Sequence, residues 1–401
     1  MRLADRYRAV LLDLDGVLYR GDRTVPGAPD VVAEVRGSGA TVVFLTNNSA
    51  RTPDQVAAKL RTHGIQAAPG EVVTSALPAA RLVAANGAVP TAYVIGQDGV
   101  RTALAATGVE VVEGAPDRAD AVVIGWDGDV GYEQLRVATV LVRKGARLVA
   151  TNDDASYPAP GGELWPGAGA ILAAVETASG VRATVVGKPH RPLFDEALGL
   201  AGTRDAVMVG DRVETDVVGA VEAGIDAVLV LSGASTRSDL LDHDRLPVAV
   251  GADLGLLLED RAPAVPRPAR LDDLERVRRL VEAPPDLPAW GPEGVWVVEG
   301  DTGLVATATA EVRGADAYLR GVATRADRRG RDLATLVVAA AVGDARRRGA
   351  ATCYLLTETA EALFERLGFR RIDRTNVPGW GLERSPECPT SAAAMIRRLD
   401  Q

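Results

Sequence analysis

The sequence predicts an α/β protein built on a parallel β-sheet, with a second α/β domain inserted into it and a separate α+β unit after it. Three observations lead to this prediction. Short apolar segments typical of buried strands alternate with helical segments, and the alternation restarts after residue 78. Acidic and polar residues directly follow several of the strand segments. A proline-rich stretch at 261–268 then separates the C-terminal unit from the rest of the chain.

The first strand is the apolar run Val10-Leu11-Leu12, which carries charge only at its C-terminal end, in Asp13 and Asp15. In open parallel sheets, ligands bind in the crevice at the carboxyl ends of the strands. Carboxylates two residues apart leave a strand on the same side. They can share a hard divalent cation, or one can attack a substrate while the other moves protons. A strand end closed by an Asx-turn is the alternative interpretation.

The next strands are predicted at residues 41–45 and 71–74, and helices at 30–36 and from Thr52-Pro53 onward. The strand at 41–45 ends in Thr46-Asn47-Asn48-Ser49, four hydrogen-bonding side chains in succession. They form either a ligand-binding strand end or only the entry loop of the following helix. The order of strands and helices implies right-handed crossovers and therefore a parallel, Rossmann-like sheet.

A second domain is predicted at residues 79–182, inserted into the core formed by 1–78 and 183–258. The predicted strands of the insert are 92–95, 119–124 and 147–150, and its helices are 102–106, 132–143 and 168–179. The core sheet is predicted to resume with strands at 184–187, 206–210 and 227–231, and with helices from Pro192 and at 214–223. Residues 259–268 form a stiff linker, because a proline-rich run cannot continue a helix or a sheet. The third unit, residues 269–401, has strand candidates at 295–299, 303–309 and 352–356.

The composition argues against several classes of function. With a formal net charge of −9 and a pI of about 5.1, nucleic acid and anionic membranes are not expected as main partners. No run of eighteen apolar residues occurs, and the N-terminus is too polar for a signal peptide, so we expect a cytoplasmic protein. Three scattered histidines argue against zinc, so any metal should be held by oxygen ligands. Two cysteines, Cys353 and Cys388, are too few for a disulfide framework.

Four strand ends together carry Asp13-x-Asp15-Gly16, Thr46-Asn47-Asn48, Gly187-Lys188-Pro189 and Gly210-Asp211 followed by Asp216. In this order they resemble the four motifs of the haloacid dehalogenase superfamily of phosphotransferases, over residues 8–257. The resemblance implies that Asp13 attacks phosphorus to form an aspartyl phosphate and that Asp15 acts as general acid and base. It also implies Mg²⁺ held by Asp13, the backbone carbonyl of Asp15, and Asp211.

The remaining motif residues receive supporting roles from the same resemblance. Thr46 and Asn47 would donate hydrogen bonds to phosphoryl oxygens, and Lys188 would screen the negative charge. Asp216 would hold Lys188 or a metal-bound water. Gly16 and Asn48 complete the expected substrate-binding set. Taken singly, Gly210-Asp211 could be only a strand-to-helix turn and Lys188 a surface residue, and we interpret His190 as a helix-entry residue.

The insert resembles the large α/β cap of one subfamily, which includes nitrophenyl-, phosphoglycolate, pyridoxal and glycerol phosphate phosphatases. Such caps close over the site and contact the organic part of the substrate. By this resemblance, Asn152 and Asp154 contact substrate hydroxyls, although a polar surface loop is an equal alternative. The acidic Asp15 favours a phosphomonoesterase, because related dehalogenases and ion pumps lack an acid there.

Residues 323–370 resemble the second half of a GNAT acetyltransferase. The run from Arg329 to Ala334 lies where this family carries its pyrophosphate-binding loop at a helix N-terminus. Asp332 replaces the middle glycine of that loop, and Phe364 replaces the usual tyrosine acid. The stretch 269–321 also looks short for a complete domain. We therefore expect a non-catalytic module that packs, dimerises or senses, so a homodimer is one arrangement open to it.

These observations predict an Mg²⁺-dependent phosphomonoesterase for a small phosphorylated metabolite, and the resemblance makes glycerol 3-phosphate the first candidate. The alternative is a bifunctional or acyl-CoA-regulated protein whose C-terminal domain binds coenzyme A. Binding of acetyl-CoA would separate the two.

Overall fold

The computed structural model describes residues 1–85, 90–158, 163–282, 291–383 and 389–399. The chain forms two compact units. The first unit contains residues 2–226 and 253–259, and the second contains residues 1, 227–252 and 260–401. Cys388 lies outside the described residues. Within the described part of the chain, no helix is long and apolar enough to span a membrane.

The core of the first unit is a parallel sheet with the strand order β13-β1-β4-β5. Its strands are β1 (Ala9–Leu12), β4 (Thr41–Thr46), β5 (Val72–Thr74) and β13 (Ala206–Gly210). Strand β1 pairs in parallel with β13 on one side and with β4 on the other, so it lies in the interior of the sheet. All four of its residues are buried, which explains why its sequence is a continuous apolar run. The predicted parallel-sheet core is confirmed.

Helices and one small hairpin surround this sheet. The helices are α1 (Ala28–Gly37), α2 (Pro53–Thr62), α7 (Arg191–Ala201) and α8 (Val218–Ala223), and the hairpin consists of β2 (Tyr19–Arg20) and β3 (Arg23–Thr24). Helix α3 (Ala76–Ala84) follows β5 and packs its buried face into the hydrophobic core of the inserted domain. Helix α2 begins with a capping box, in which the Gln55 amide donates to Thr52 Oγ1 at 3.3 Å and the Thr52 amide donates to Gln55 Oε1 at 3.0 Å. A π-helical turn, Val213–Val217, leads into α8.

The inserted domain has its own parallel sheet, with the strand order β12-β9-β8-β6-β7. Its elements are β6 (Thr91–Ile95), α4 (Asp98–Ala106), β7 (Glu110–Val112), β8 (Ala121–Ile124), α5 (Tyr132–Arg143), β9 (Arg147–Ala150), the hairpin β10 (Ser156–Pro158) and β11 (Leu164–Pro166), α6 (Ala168–Ser179) and β12 (Thr184–Val185). The prediction that the strand at 184–187 resumes the core sheet is wrong, because Thr184 and Val185 pair with Val149 and Ala150. Its length and apolar character could not reveal which sheet it joins.

The second unit contains two parallel strands, β14 (Asp226–Val230) and β15 (Ala249–Gly251), and a seven-stranded sheet with the order β16-β17-β18-β19-β20-β22-β21. The elements of that C-terminal domain are β16 (Arg267–Pro268), α9 (Leu274–Leu280), β17 (Val295–Gly300), β18 (Gly303–Arg313), β19 (Asp316–Thr324), α10 (Leu333–Arg347), β20 (Thr352–Thr357), α11 (Glu361–Arg366), β21 (Arg370–Ile372), α12 (Gly379–Leu382) and β22 (Ala393–Arg398). The stretch 269–321, which looks short in the sequence, supplies two long strands and most of a third.

The proline-rich stretch is not only a linker. Arg267 and Pro268 form the edge strand β16 and pair with Val297 and Trp296 of β17. The prediction that this run cannot join a sheet is wrong, because an edge strand needs hydrogen-bond donors on one side only and therefore tolerates proline. Arg261, at the start of the run, is buried with 5% of its surface exposed.

Candidate active site

The ends of three core segments bring Asp13, Lys188 and Asp216 together. Asp13 follows β1, and its amide donates to the Val209 carbonyl of β13 at 2.9 Å. The Lys188 ammonium donates to Asp13 Oδ1 at 2.5 Å and lies 2.7 Å from Asp216 Oδ1. Carboxylate oxygens of Asp13, Asp211 and Asp216 all lie within 4.8 Å of one another. The first, third and fourth motifs therefore meet at one point.

The fourth motif reaches this point because its first residue is glycine. A Cβ atom built on Gly210 would lie 2.2 Å from the Asp216 Cβ and 2.3 Å from its carboxylate, which no ordinary side chain could tolerate. Asp216 is further fixed by its Oδ2, which accepts a hydrogen bond from the Arg212 amide at 3.0 Å. The π-helical turn that contains Asp216 folds the chain back to permit this bond.

The cluster has the charge and the ligand type that a divalent cation requires. Asp211, Asp216 and Lys188 are buried, with 5%, 1% and 3% of their surfaces exposed. Three carboxylates and one ammonium leave two negative charges when all four groups are ionised, and burying unbalanced charge is costly. Carboxylate oxygens are the ligands that hard cations prefer. These residues therefore fit a divalent metal ion.

The surroundings of the cluster raise the pKa of both its acid, Asp13, and its base, Lys188. Burial raises the pKa of the Asp13 carboxyl above its ordinary value, Lys188 opposes that rise, and Asp216 and Asp211 add to it. Burial alone would lower the pKa of Lys188, but Asp13 and Asp216 outweigh that effect and raise it. A further positive charge beside Asp13 would act in the same sense as Lys188 and lower the pKa of Asp13.

Asp15 lies beside the cluster on a tight turn and is exposed to solvent. Gly16 follows it with a φ of +85° and donates its amide to the Tyr19 carbonyl at 2.7 Å, which returns the chain into the β2–β3 hairpin. Partial desolvation raises the pKa of Asp15, while the charge of Lys59 acts in the opposite sense. An acid with a raised pKa that is open to solvent can deliver a proton to a substrate and take one from water.

Lys59 and the Tyr19 ring support this turn, and sequence reasoning did not single them out. The Lys59 ammonium lies 3.9 Å from the Tyr19 ring centroid, and the His63 ring stacks on the same tyrosine at 4.6 Å. His63 Nδ1 is also 2.9 Å from Thr24 Oγ1 in β3. The one available signal was the scarcity of lysine, since only three occur in the chain.

The Thr46 and Asn47 side chains of the second motif make different contacts. Thr46 is buried at the end of β4, and its Oγ1 accepts from the Asn48 amide at 3.1 Å, which leaves the hydroxyl proton to donate elsewhere. The Asn47 side chain instead binds the backbone of Lys188, with 2.7 Å from the Lys188 amide to Oδ1 and 3.0 Å from Nδ2 to the Lys188 carbonyl. Asn47 therefore positions Lys188 in this structure.

Asn48 behaves as a residue of a helix-entry loop. Its Oδ1 accepts from the Ala50 amide at 2.9 Å, which forms a local turn before α2. This contact is the kind that a helix-entry loop, the alternative interpretation of the second motif, predicts for Asn48.

The cap loop residues Asn152 and Asp154 both contact Asn47. Asn152 Nδ2 donates to the Asn47 carbonyl at 2.8 Å, and Asn47 Nδ2 donates to Asp154 Oδ2 at 3.1 Å. Ser49 Oγ and Thr151 Oγ1 are 2.9 Å apart in the same region. These two cap side chains, which the sequence predicts to contact substrate hydroxyls, thus bridge cap and core in this structure.

A wide cleft of 1170 Å³ lies between helix α2 of the core and helix α4 and two loops of the cap. Among the described residues, its lining is polar or charged apart from glycine and two alanines. The lining residues are Asp22, Ala50, Arg51, Gln55, Ala58, Lys59, Thr62, His63, Gly96, Gln97, Asp98, Arg101, Asp127 and Asp129. Because Lys59 contacts Tyr19 and acts on Asp15, the cleft adjoins the Asp15 side of the cluster.

The C-terminal domain shows where the two departures from the GNAT pattern lie. Asp332 precedes α10 in a left-handed conformation, and Phe364 is buried with its ring 5.7 Å from that of Phe369. A phenylalanine at this position has no proton to supply.

Family models match three parts of the chain. Haloacid dehalogenase-like hydrolase models match residues 10–110 and 185–257, and the acetyltransferase (GNAT) family model matches residues 268–369. An acid sugar phosphatase from Staphylococcus haemolyticus is 37% identical over 256 residues, which covers 63% of this chain and 96% of that protein.

Two solved structures extend the comparison. The glycerol phosphate phosphatase of Mycobacterium tuberculosis in complex with calcium is 30% identical, with a TM-score of 0.73, covering 93% of this chain and 100% of that one. A double mutant of the thermostable NPPase from Geobacillus stearothermophilus is 36% identical, with a TM-score of 0.57, covering 63% of this chain and 98% of that one. The chain therefore belongs to the haloacid dehalogenase-like hydrolase family, as a phosphatase that carries a C-terminal domain of GNAT type.

Proposed function

We propose that the protein is an Mg²⁺-dependent phosphomonoesterase that works through an aspartyl-phosphate intermediate, with glycerol 3-phosphate as the first candidate substrate. The observation that carries the proposal is the position of Asp13, a buried carboxylate held by Lys188 at 2.5 Å and followed two residues later by the exposed Asp15. One group is suited to attack and the other to proton transfer.

In the first half-reaction, an Asp13 carboxylate oxygen attacks phosphorus. Lys188 engages Oδ1, so we assign Oδ2 to the attack. The bond between phosphorus and the ester oxygen breaks, and Asp15 transfers its proton to that oxygen. The alcohol leaves, and the phosphoryl group remains on Asp13.

In the second half-reaction, the Asp15 carboxylate takes a proton from a water molecule whose oxygen attacks phosphorus. The bond from phosphorus to Asp13 breaks, which releases inorganic phosphate and restores both carboxyl groups.

Charge decides whether these steps can occur. Lys188 and the Thr46 hydroxyl would face the phosphoryl oxygens, and Asn47 would hold Lys188 in place. Asp13, the Asp15 carbonyl and Asp211 would hold Mg²⁺, which supplies the positive charge that a carboxylate needs near a phosphate dianion. Asp216 would keep the Lys188 ammonium directed at Asp13.

The cleft supports a hydrophilic leaving group. Pockets for aromatic ligands are lined mostly by apolar and aromatic side chains, whereas this cleft offers carboxylates, amides and cations. Such a lining suits the hydroxyl groups of a polyol or sugar phosphate better than a nitrophenyl or pyridoxal ring. Relatives named for sugar phosphates and for glycerol phosphate agree with this choice.

The test is a comparison of kcat/KM with Mg²⁺ for glycerol 3-phosphate, hexose phosphates, p-nitrophenyl phosphate and pyridoxal phosphate. We expect glycerol 3-phosphate to lead and the aromatic esters to trail. Equal or faster hydrolysis of the aromatic esters would contradict the proposed substrate class. Loss of activity for every substrate in the Asp13→Asn variant would still support the mechanism.

The GNAT family match keeps a second candidate function in view, namely binding of acyl-CoA by the C-terminal domain. Calorimetric titration with acetyl-CoA distinguishes the two candidates. Micromolar binding by the wild-type chain would favour an acyl-CoA-regulated phosphatase.

A further inference from the structure

The loop before helix α10 binds a segment of its own chain. Arg237 Nε lies 2.6 Å from Asp332 Oδ1, and Arg237 Nη2 lies 3.0 Å from Asp332 Oδ2, so the guanidinium and the carboxylate form a bidentate pair. Both side chains are largely buried, with 27% and 15% of their surfaces exposed. Arg237 belongs to the segment between β14 and β15, which is remote in sequence from α10.

Asp332 keeps the backbone conformation that a glycine would have at this position. Its φ is +55°, in the left-handed region that glycine adopts readily and that aspartate and asparagine tolerate better than most residues. Thr335 Oγ1 donates to Asp332 Oδ1 at 3.1 Å and helps to orient the carboxylate. The substitution therefore preserves the turn before α10 and adds a side chain that binds Arg237.

A second arginine binds the backbone of the same loop. Arg261 Nη2 donates to the Arg331 carbonyl at 2.7 Å, and Arg331 Nη1 donates to the Asp260 carbonyl at 3.1 Å. The loop is thus held through one side-chain carboxylate and one main-chain carbonyl, both by arginines from outside the GNAT-type sheet.

Further ion pairs hold the same segment beyond the loop. Arg346 and Arg347, at the C-terminal end of α10, contact Asp244 Oδ1 at 2.9 and 3.0 Å. Arg397 of β22, which is almost fully buried, contacts both oxygens of Asp242 at 2.7 and 2.8 Å. Three residues of the segment 237–244 are therefore bound by the C-terminal domain, namely Arg237, Asp242 and Asp244.

We propose that the loop before α10 is an intrachain docking site whose ligand is the Arg237 guanidinium, so that the C-terminal domain serves to hold residues 237–244. The resemblance to GNAT acetyltransferases implies a coenzyme A pyrophosphate at this position. In this chain, the Asp332 carboxylate lies there instead and binds the Arg237 guanidinium. The loop therefore carries the negative charge and the bound segment carries the positive charge. This is the opposite of a helix N-terminus that binds an anion.

The test uses near-isosteric neutral variants of the full chain, Arg237→Gln and Asp332→Asn, and the double variant. Asparagine tolerates the left-handed backbone, so Asp332→Asn removes charge without adding strain. Amide hydrogen exchange of residues 237–244 is measured by mass spectrometry, and near-ultraviolet circular dichroism checks that each variant is folded. We expect each single variant to raise the amide exchange rate of this segment about tenfold. The double variant should exchange little faster than either single variant, because all three variants remove the same interaction.

The matched control is the Arg325–Asp327 pair of the same domain, which also has two contacts, at 2.6 and 3.1 Å. Arg325→Gln and Asp327→Asn should leave exchange of residues 237–244 unchanged. Unchanged exchange in Arg237→Gln and Asp332→Asn, or fully additive effects in the double variant, would overturn the proposal. So would an equal effect of the control variants.

Discussion

Lys188 and Asp13 are 175 positions apart in the chain, and the Lys188 ammonium donates to Asp13 Oδ1 at 2.5 Å. The entire cap is inserted between these two residues. The chain enters the cap after β5 and returns to the core at Lys188, whose backbone is bound by Asn47 on both its amide and its carbonyl. The same asparagine contacts Asn152 and Asp154 of the cap. The reactive centre and the attachment of the cap therefore share one residue.

The proposed roles of Asp13 and Asp15 predict different losses in their variants. Asp13→Asn should abolish turnover, because an amide cannot form the intermediate. Asp15→Asn should bind substrate normally and lose about two to four decades of kcat, the usual contribution of general acid–base catalysis. Steady-state kinetics and substrate titration measure both effects. Asp30→Asn, on the exposed face of α1, is the control and should match the wild type.

Calcium in place of magnesium should inhibit the enzyme. Calcium accepts more oxygen ligands at longer distances, so it can engage both oxygens of Asp13 and occupy the one that must attack phosphorus. The measurement is the initial rate in metal-depleted enzyme with either ion alone and with both in competition. Equal rates with the two ions would argue against a metal ion at Asp13.

The order of the motifs predicted that Asp13 and Asp211 would meet, since each follows a strand of one parallel sheet and the carboxyl ends of parallel strands share one edge. Lys188 reaches the same point although the strand before it belongs to the cap sheet. The motif order could not predict the part played by Asn47. That residue type fits either a phosphate contact or a framework contact, and only the three-dimensional proximity of Lys188 and Asp154 decides between them. The sequence likewise predicts the wrong sheet for the strand Thr184–Val185, because both sheets are parallel and accept the same short apolar segment.

The ion pairs around the buried Asp273 carboxylate should make the C-terminal domain sensitive to acid. The Arg267 guanidinium lies 2.6 Å from Asp273 Oδ2, and the resulting hydrogen bond lowers the pKa of Asp273 from its ordinary value of 3.8 to about 2. A carboxyl group whose pKa is lower in the native state than in the unfolded state stabilises the fold at pH values above its unfolded pKa. This stabilisation is lost as the pH falls through the native pKa. Asp273→Asn should therefore cost about 1 to 3 kcal/mol at neutral pH.

The difference between wild type and Asp273→Asn should shrink as the pH falls from about 4 to about 2. Thermal unfolding followed across this range gives the comparison, with Asp272→Asn, an exposed neighbour, as the control. A difference in Tm that stays constant with pH would mean that Asp273 stabilises the domain without its charge.

Asp332→Gly should improve binding of acetyl-CoA without restoring acetyl transfer. The sequence alone suggests a free carboxylate facing a pyrophosphate, whereas the structure pairs that carboxylate with Arg237. Removing it releases the cation and opens the loop, so affinity should rise by about tenfold or more from a negligible wild-type value. Transfer should stay absent, because Phe364 has no proton to donate. Calorimetry on both proteins, with Asp327→Gly as the control, gives the result.

The Arg237–Asp332 pair also shows where sequence reasoning stops. The departure from glycine at position 332 is visible in the sequence, and so is the negative charge it brings. The partner is not, because a contact across 95 residues between a loop and a segment without periodic pattern leaves no local signal. In the sequence, the aspartate at position 332 suggests only the loss of a coenzyme A site. In the folded chain, the same aspartate binds Arg237.

The most direct test of the central claim is to trap the phosphoryl group on Asp13. Enzyme mixed with excess glycerol 3-phosphate and Mg²⁺ is quenched in acid within one turnover and reduced with borohydride, which converts an aspartyl phosphate to homoserine. Mass spectrometry of the peptide that contains Asp13 and Asp15 then locates the change. We predict homoserine at position 13, dependent on substrate and absent in Asp13→Asn. An unmodified peptide from enzyme that is turning over at full rate, or modification at Asp15 alone, would contradict the account.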